Sequence, residues 1–359
     1  MALQQFTNLN FEDIKSSLKD YLRENSNFSD MDFEGSNLSI LINTLAYNSY
    51  ITAYNTNMVV NETFIDSATL RENVVSLARN IGYVPRSKTA AKTKVDYFIT
   101  GISTSTSIIV FESGVIANGT VSNANYIFSL PEEVTGTVVD GISQGTIEIC
   151  QGQYLESQFR IDNSQPNQRF ILPNSDIDTS TIRVSVLESS GSNTSTEYKL
   201  AENIIGITST SNIYLLQETT DERYELLFGD GVFGDKLESG NIVNVSYIKT
   251  SGKQGNGVAG FKFAGAISDQ DGAILDGFTA TLNAQFPSEN GDDIEDLDSV
   301  RYYAPRVYSS QHRAVTASDY EAILPSIYSN IESVSAYGGE QLDPPQFGRV
   351  FISAKPKNG

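Results

Sequence analysis

The stretch LLFGDGVFGDKLESGNIVNVSYIKTSGKQGNG, residues 226–257, constrains this chain most, because it sets three turn signals around two strand signals. Residues 223–228 read as a strand that stops at Gly229, Asp230 and Gly231, where glycine supplies the positive φ that bulkier residues adopt only with strain. Residues 241–250 alternate, with Val243, Val245 and Tyr247 on one face and Asn244 and Ser246 on the other, the period of a half-buried strand. A second turn follows at 252–257. Gly229, Gly231 and Gly234 also spell G-x-G-x-x-G, but a dinucleotide site needs a helix to open there. Residues 235–240, DKLESG, are too short for one and end in another glycine, and Asp230 and Asp235 would oppose a phosphate. The glycines are read as turns, and no cofactor is expected.

The 359 residues suggest two or three domains. With 44 acidic against 24 basic residues the net charge is −20, which argues against a surface that neutralises nucleic-acid phosphates or docks on anionic lipid. Such acidity favours solubility and resists wrong association. One cysteine, Cys150, leaves no internal disulfide, and one histidine, His312, leaves none of the usual Cys/His zinc sets. Both fit synthesis in a reducing cytoplasm. The N-terminus shows no basic segment followed by an apolar one, so no secretory signal is read, and no stretch is long and apolar enough to span a bilayer.

Along the chain, Asn10 is placed to cap a first helix whose Phe11, Ile14, Leu18, Tyr21 and Leu22 share a face. Ser36 or Asn37 caps a longer helix to about Val59, carrying Leu38, Leu41, Ile42, Leu45, Ala46, Ile51, Tyr54 and Met58 as a broad apolar stripe. A third helix is expected from Ser67, with Leu70, Val74, Leu77, Ala78 and Ile81 at helical spacing, ending at Gly82 with Pro85 beyond. From Lys94 the period becomes that of strands, at 95–100, 107–111, 125–129, 137–139, 146–150, 168–172, 181–187, 197–200 and 213–217, close enough for hairpins. Residues 189–195 form a polar loop tip. Past Gly265 a helix through Ala304 is expected to be cut at Pro305, and Thr316 opens another with Asp319 as its capping partner. Strands at 332–337 and 349–354 follow. The fold class is therefore α+β and multidomain: a helical module at 1–90, a β-rich domain at 91–265 and a small α+β unit at 266–359.

FGDGVFGDKLESGNIVNVSYIKTSGKQGNG, residues 228–257, resembles the signature of the baseplate J-like proteins, wedge components of contractile phage tails and related injection machines. The N-terminal half, from MDFEGSNLSILINTLAYNSY at 31–50 to NIGYVPRS at 80–87, is most similar to inner-ring wedge subunits of T-even-like phages. Arg313, Thr316, Asp319, Tyr320 and Glu321 match the family's R-x-x-T-x-x-D-Y-E element, and SENGDD at 288–293 falls in the expected order. The resemblance implies that the helices join a bundle shared with neighbouring wedge chains, making Leu38, Leu41, Leu45, Tyr54 and Met58 candidate partner contacts. It also implies a virion location and, as partners, other wedge proteins and further copies of this chain, with no nucleic acid, membrane or small-molecule substrate. Family members continue further, so the sequence is expected to be part of a longer protein.

Other motifs have plainer explanations. Gly141-Ile142-Ser143-Gln144-Gly145 spells the G-x-S-x-G of a hydrolase elbow, but strands on both sides make it a hairpin turn, and its base would have to be the distant His312. The acids Asp292, Asp293, Glu295, Asp296 and Asp298, and Asp269, Asp271 and Asp276, match no calcium loop, and the first group suits a helix N-terminus. Arg301, Arg306 and Arg313 lie beside tyrosines in RYYAPRVYSSQHRAVTASDYE, a composition enriched at protein interfaces. The competing class is a glycan-degrading tail enzyme using Asp230 and Asp235 as acid and base, but these sit in turns without an aromatic platform, and the chain has no Trp. A receptor-binding adhesin is the third possibility. The expectation is a non-enzymatic assembly subunit with no catalytic, cofactor or metal residues.

Overall fold

The computed structural model describes residues 10–25, 36–164, 168–192, 194–201, 206–311, 313–328 and 331–357. Helix α1 (Phe11–Asn25) starts where the Asn10 side chain accepts from the Glu12 amide at 3.0 Å, with Glu12 and Asp13 in its first turn and Arg23 in its last. Helix α2 (Asn37–Glu62) is capped by Ser36, whose hydroxyl accepts from the Ser39 amide. Helix α3 (Arg71–Asn80) does not start at Ser67 as its pattern predicts. Ser67 instead donates to the Asn61 carbonyl, and the Glu62 carboxylate fixes the approach to α3 by accepting from the Thr69 amide and hydroxyl, the Leu70 amide and Asn73. Its end is as expected. Gly82 takes φ +79°, its amide meets the Arg79 carbonyl and the Tyr83 amide reaches back to the Ala78 carbonyl, a Schellman closure.

The chain then enters a first sheet through β1 (Lys92–Thr100), β2 (Ile108–Phe111), β3 (Gly114–Val121), β4 (Ala124–Leu130), β5 (Val134–Val139) and β6 (Ile142–Gln151). It leaves at Gly152 for a second sheet of β7 (Gln153–Arg160), β8 (Phe170–Ile171), β9 (Ile177–Leu187), β10 (Ser195–Leu200), β11 (Ile213–Glu218), β12 (Tyr224–Phe228) and β13 (Ile242–Lys249), ordered β7-β13-β9-β10-β11-β12-β8. It returns to the first sheet through β14 (Phe261–Phe263), β15 (Ile267–Asp269) and β16 (Thr279–Ala284).

That return corrects the expected boundary at 266. β16 pairs antiparallel with β1 from Val95↔Ala284 to Thr100↔Thr279, and β15 pairs with β2, so these strands belong to the first β-module and not to the C-terminal unit. β14 pairs with β3, and a Gly260↔Asn283 bridge joins its approach to β16, so β16, β1, β6, β4, β3 and β14 curl toward a closed ring. Inside lie Val95, Ile99, Phe111, Phe128, Ile149 and Ile267, and Phe128 meets Phe261 edge to face at 4.8 Å. The second module has its own core of Leu172, Ile177, Tyr224, Leu226, Val243, Val245 and Tyr247, the β13 residues facing inward as their alternation predicts.

Helices α4 (Leu297–Ser310) and α5 (Ala317–Ile327) complete a layer with α3. Pro305 does not cut α4. Val300 and Ala304 before it, and Val307 and Ser310 after it, are all buried, and that packing offsets the one backbone bond a helix-interior proline removes. The Thr316–Asp319 capping box forms as expected. Tyr320, Ile323 and Leu324 of α5 are half-buried. A two-stranded sheet, β17 (Ile331–Gly338) and β18 (Val350–Pro356), packs against α5 through β17.

Candidate assembly surfaces and the interdomain junction

Helix α2 has more apolar faces than the described residues cover. Ile42 and Ala46 are buried with the polar Ser39, Asn57 and Asn61, whereas Leu41, Leu45 and Tyr54 are 59%, 54% and 47% exposed. Leu38 and Met58 are half-buried. At about 100° per residue, Leu41 and Val59 lie across the helix from the buried face, Leu45 lies to one side of that face, and Ile40, Tyr47 and Tyr54 lie to the other. Ile40, Tyr47 and Val59, all exposed, extend the predicted set. A helix that is apolar around its circumference is one that expects burial on all sides.

The three predicted arginines separate. Arg301 is engaged within the chain: its guanidinium donates to Asp298 and to the Ala68 carbonyl, fastening α4 to the turn before α3. Arg306 lies 3.5 Å over the Tyr302 ring and donates to the Tyr302 carbonyl, and Tyr308 on the same helix is exposed. Arg313 is exposed and donates to the Gln311 side chain. His312 lies outside the described residues.

The glycine loop folds onto itself. Gly231 donates to the Gly234 carbonyl, Gly234 to Thr208 and Asp235 to Ser211, while a side chain on Gly229 would overlap the Gly234 carbonyl. The Asp230 carboxylate accepts from the amides of Phe233 and Val232, which hold it below the usual carboxylate range. Asp235 accepts from the Tyr198 hydroxyl at 2.7 Å. No helix follows Gly234; β13 does. The amides that would cradle a phosphate are engaged, and both carboxylates hold the turn. What the loop presents is apolar: Val232 is 74% exposed and Phe233 54%. Gly141 makes the β5–β6 hairpin turn, and Ser143 lies inside β6 opposite Val138. Cys150 is buried, and burial pushes its thiol up to about 12.

The acidic segment before α4 is taken up by pairing. Glu295, 4% exposed, accepts from the Tyr83 hydroxyl at 2.8 Å and the Arg86 amide at 2.9 Å, and burial beside it raises the Tyr83 hydroxyl far above its usual range. Asp292 accepts from Arg86 and Lys357, Asp293 pairs with Lys253, and Asp296 caps α4. Arg71 on α3 forms a forked pair with Glu218 at the end of β11. Desolvation raises the Glu218 carboxyl, and Arg71 opposes that rise. This junction leaves no local signal in the sequence, because its partners are separated by 147 residues (Arg71 and Glu218) and 212 (Tyr83 and Glu295). Among the described residues, no group of three or more His, Cys, Asp or Glu is arranged to hold a metal ion, and no helix is long and apolar enough to cross a membrane.

Beside the helical entry, the paired β-modules and the exposed apolar residues of α2 stand matches to known proteins. Residues 10–83 match the helical domain of baseplate wedge protein gp6-like proteins, residues 158–253 the third domain of bacteriophage baseplate wedge protein gp6, and residues 316–359 the C-terminal domain I of baseplate structural protein gp6. Three separate segments of the chain thus match gp6-like baseplate wedge domains. Baseplate wedge protein gp6 of Enterobacteria phage T4 is 28% identical over 370 residues, covering 97% of this chain and 54% of that protein, so the chain spans about half the length of this curated relative. The cryo-EM baseplate of the anti-feeding prophage aligns over 92% of this chain and 59% of that chain at 12% identity, with a TM-score of 0.29, too slight a likeness to bear on the fold.

Proposed function

We propose that this chain is a structural subunit of the baseplate wedge in a contractile phage tail, joining other wedge proteins and further copies of itself in a ring around the hub and passing on the movement that triggers sheath contraction. The observation that carries this reading is the occurrence of gp6-like wedge matches in all three regions of the chain, at 10–83, 158–253 and 316–359. The exposed faces of α2 supply a physical reason for assembly: Leu41, Leu45, Tyr54 and Val59 are buried once neighbouring helices complete a bundle. Leu38 and Met58 border that surface, and Arg306 with Tyr302, together with Arg313, is a second contact region. The narrower kinship to baseplate J-like proteins rests on the glycine loop and the R-x-x-T-x-x-D-Y-E element at 313–321. Its action is mechanical, no residue is assigned to catalysis, and its place is the tail baseplate of a virion made in the bacterial cytoplasm.

Gly191 offers a place to test this, because a side chain there would meet nothing within 4 Å. Electron microscopy of particles tagged at Gly191 is expected to show extra density in a ring at the tail end. Density on fibres, or none in the particle, would overturn the reading.

A further inference from the structure

Arg71 is the first residue of α3, and its guanidinium leaves the helical layer in two directions. Nε and Nη2 donate to the two carboxylate oxygens of Glu218 at 3.0 and 3.2 Å, and Nη1 donates to the main-chain oxygen of Glu295 at 2.5 Å. Glu218 closes β11 in the second β-module, its side chain 1% exposed. Glu295 lies on the connector into α4, where Tyr83 and the Arg86 amide hold its own carboxylate. One side chain therefore touches the helical layer, the second β-module and the strap between them. A forked guanidinium–carboxylate pair fixes orientation as well as distance. Because Glu218 is out of water, losing Arg71 would strand a buried carboxylate, and the interface would have to open to solvate it.

We infer that Arg71 is the clasp that makes the α3 layer and the second β-module move as one body. Displacement of α3 then reaches the sheet that bears the exposed Val232–Phe233 tip. The meaning of this coupling for contraction rests on the wedge reading above; the coupling itself is a property of the isolated chain.

Hydrogen exchange on the isolated chain tests it, comparing wild type, Arg71→Gln, Glu218→Gln and the double variant. Each single variant is expected to speed exchange about ten-fold or more in both α3 and β11, leaving β1 and β6 unchanged, and the double variant is expected to add little to the larger single effect. Arg183→Gln, which breaks the exposed Arg183–Glu132 pair, is the control and is expected to leave α3 unchanged. Faster exchange in only one of the two modules, or additive effects in the double variant, would overturn the inference. Glu218→Gln keeps the shape of the side chain and carries the test should Arg71→Gln fail to fold. No wedge partner is involved, so a failure to assemble would leave this result standing.

Discussion

Leu226 on β12 is fully buried, whereas Leu41 on α2 is 59% exposed. The core residues of the second β-module find partners inside the chain: β12 lies between β11 and β8, and Phe159, Phe170, Phe228 and Tyr198 form a run of edge-to-face contacts at 5.4 to 5.8 Å. Helix α2 carries apolar side chains on more faces than α1 can cover. The contrast separates two uses of hydrophobic residues, one that folds the chain and one that, on the function proposed above, is held for neighbours.

The same chemical change should therefore read differently in the two places. Leu226→Ala is expected to lower stability by about 2 to 5 kcal/mol, the range for emptying a packed core site, measured by urea unfolding of the isolated chain. Gly229→Ala comes next, at about 1 to 3 kcal/mol, because the new methyl meets the Gly234 carbonyl and the loop must shift; the loss should appear in the same unfolding curve. Smaller still is the contribution of the Glu62 carboxylate. Burial pushes it up, but hydrogen bonds from Asn73, Thr69 and Leu70 outweigh that and bring it from 4.5 to about 2. Its folded-state pKa is depressed, so its stabilisation is present above about 4.5 and is lost as pH falls toward about 2. Glu62→Gln should flatten that part of the pH–stability profile. Least affected is Leu41→Ala, expected to change the stability of the isolated chain by no more than about 0.5 kcal/mol.

Local physics made much of this legible. Gly82 ends α3 because a left-handed residue is needed there, Thr316 and Asp319 start α5 as a reciprocal cap, and Val243, Val245 and Tyr247 turn inward because strand period is two. Features decided at long range were not legible. Thr279–Ala284 pairs with β1 across the whole second module, and no local signal in that strand says where its partner lies. β3 was missed because Gly114, Asn118 and Gly119 dilute its strand pattern, and β7 because it is largely polar. Pro305 misled because packing on both sides of it outweighed the lost bond. Of the candidate contacts, the exposed side chains of α2 followed from its over-broad apolar stripe, while the internal role of Arg301 depended on the Ala68 carbonyl, 233 residues away.

The claim that α2 is kept for neighbours is tested most directly by mixing purified chain with the other wedge proteins and following complex formation by analytical ultracentrifugation, for wild type and for Leu41→Lys/Leu45→Lys. The account predicts that the variant melts within about 0.5 kcal/mol of wild type yet fails to enter the complex. A variant that folds and assembles as wild type does would contradict it.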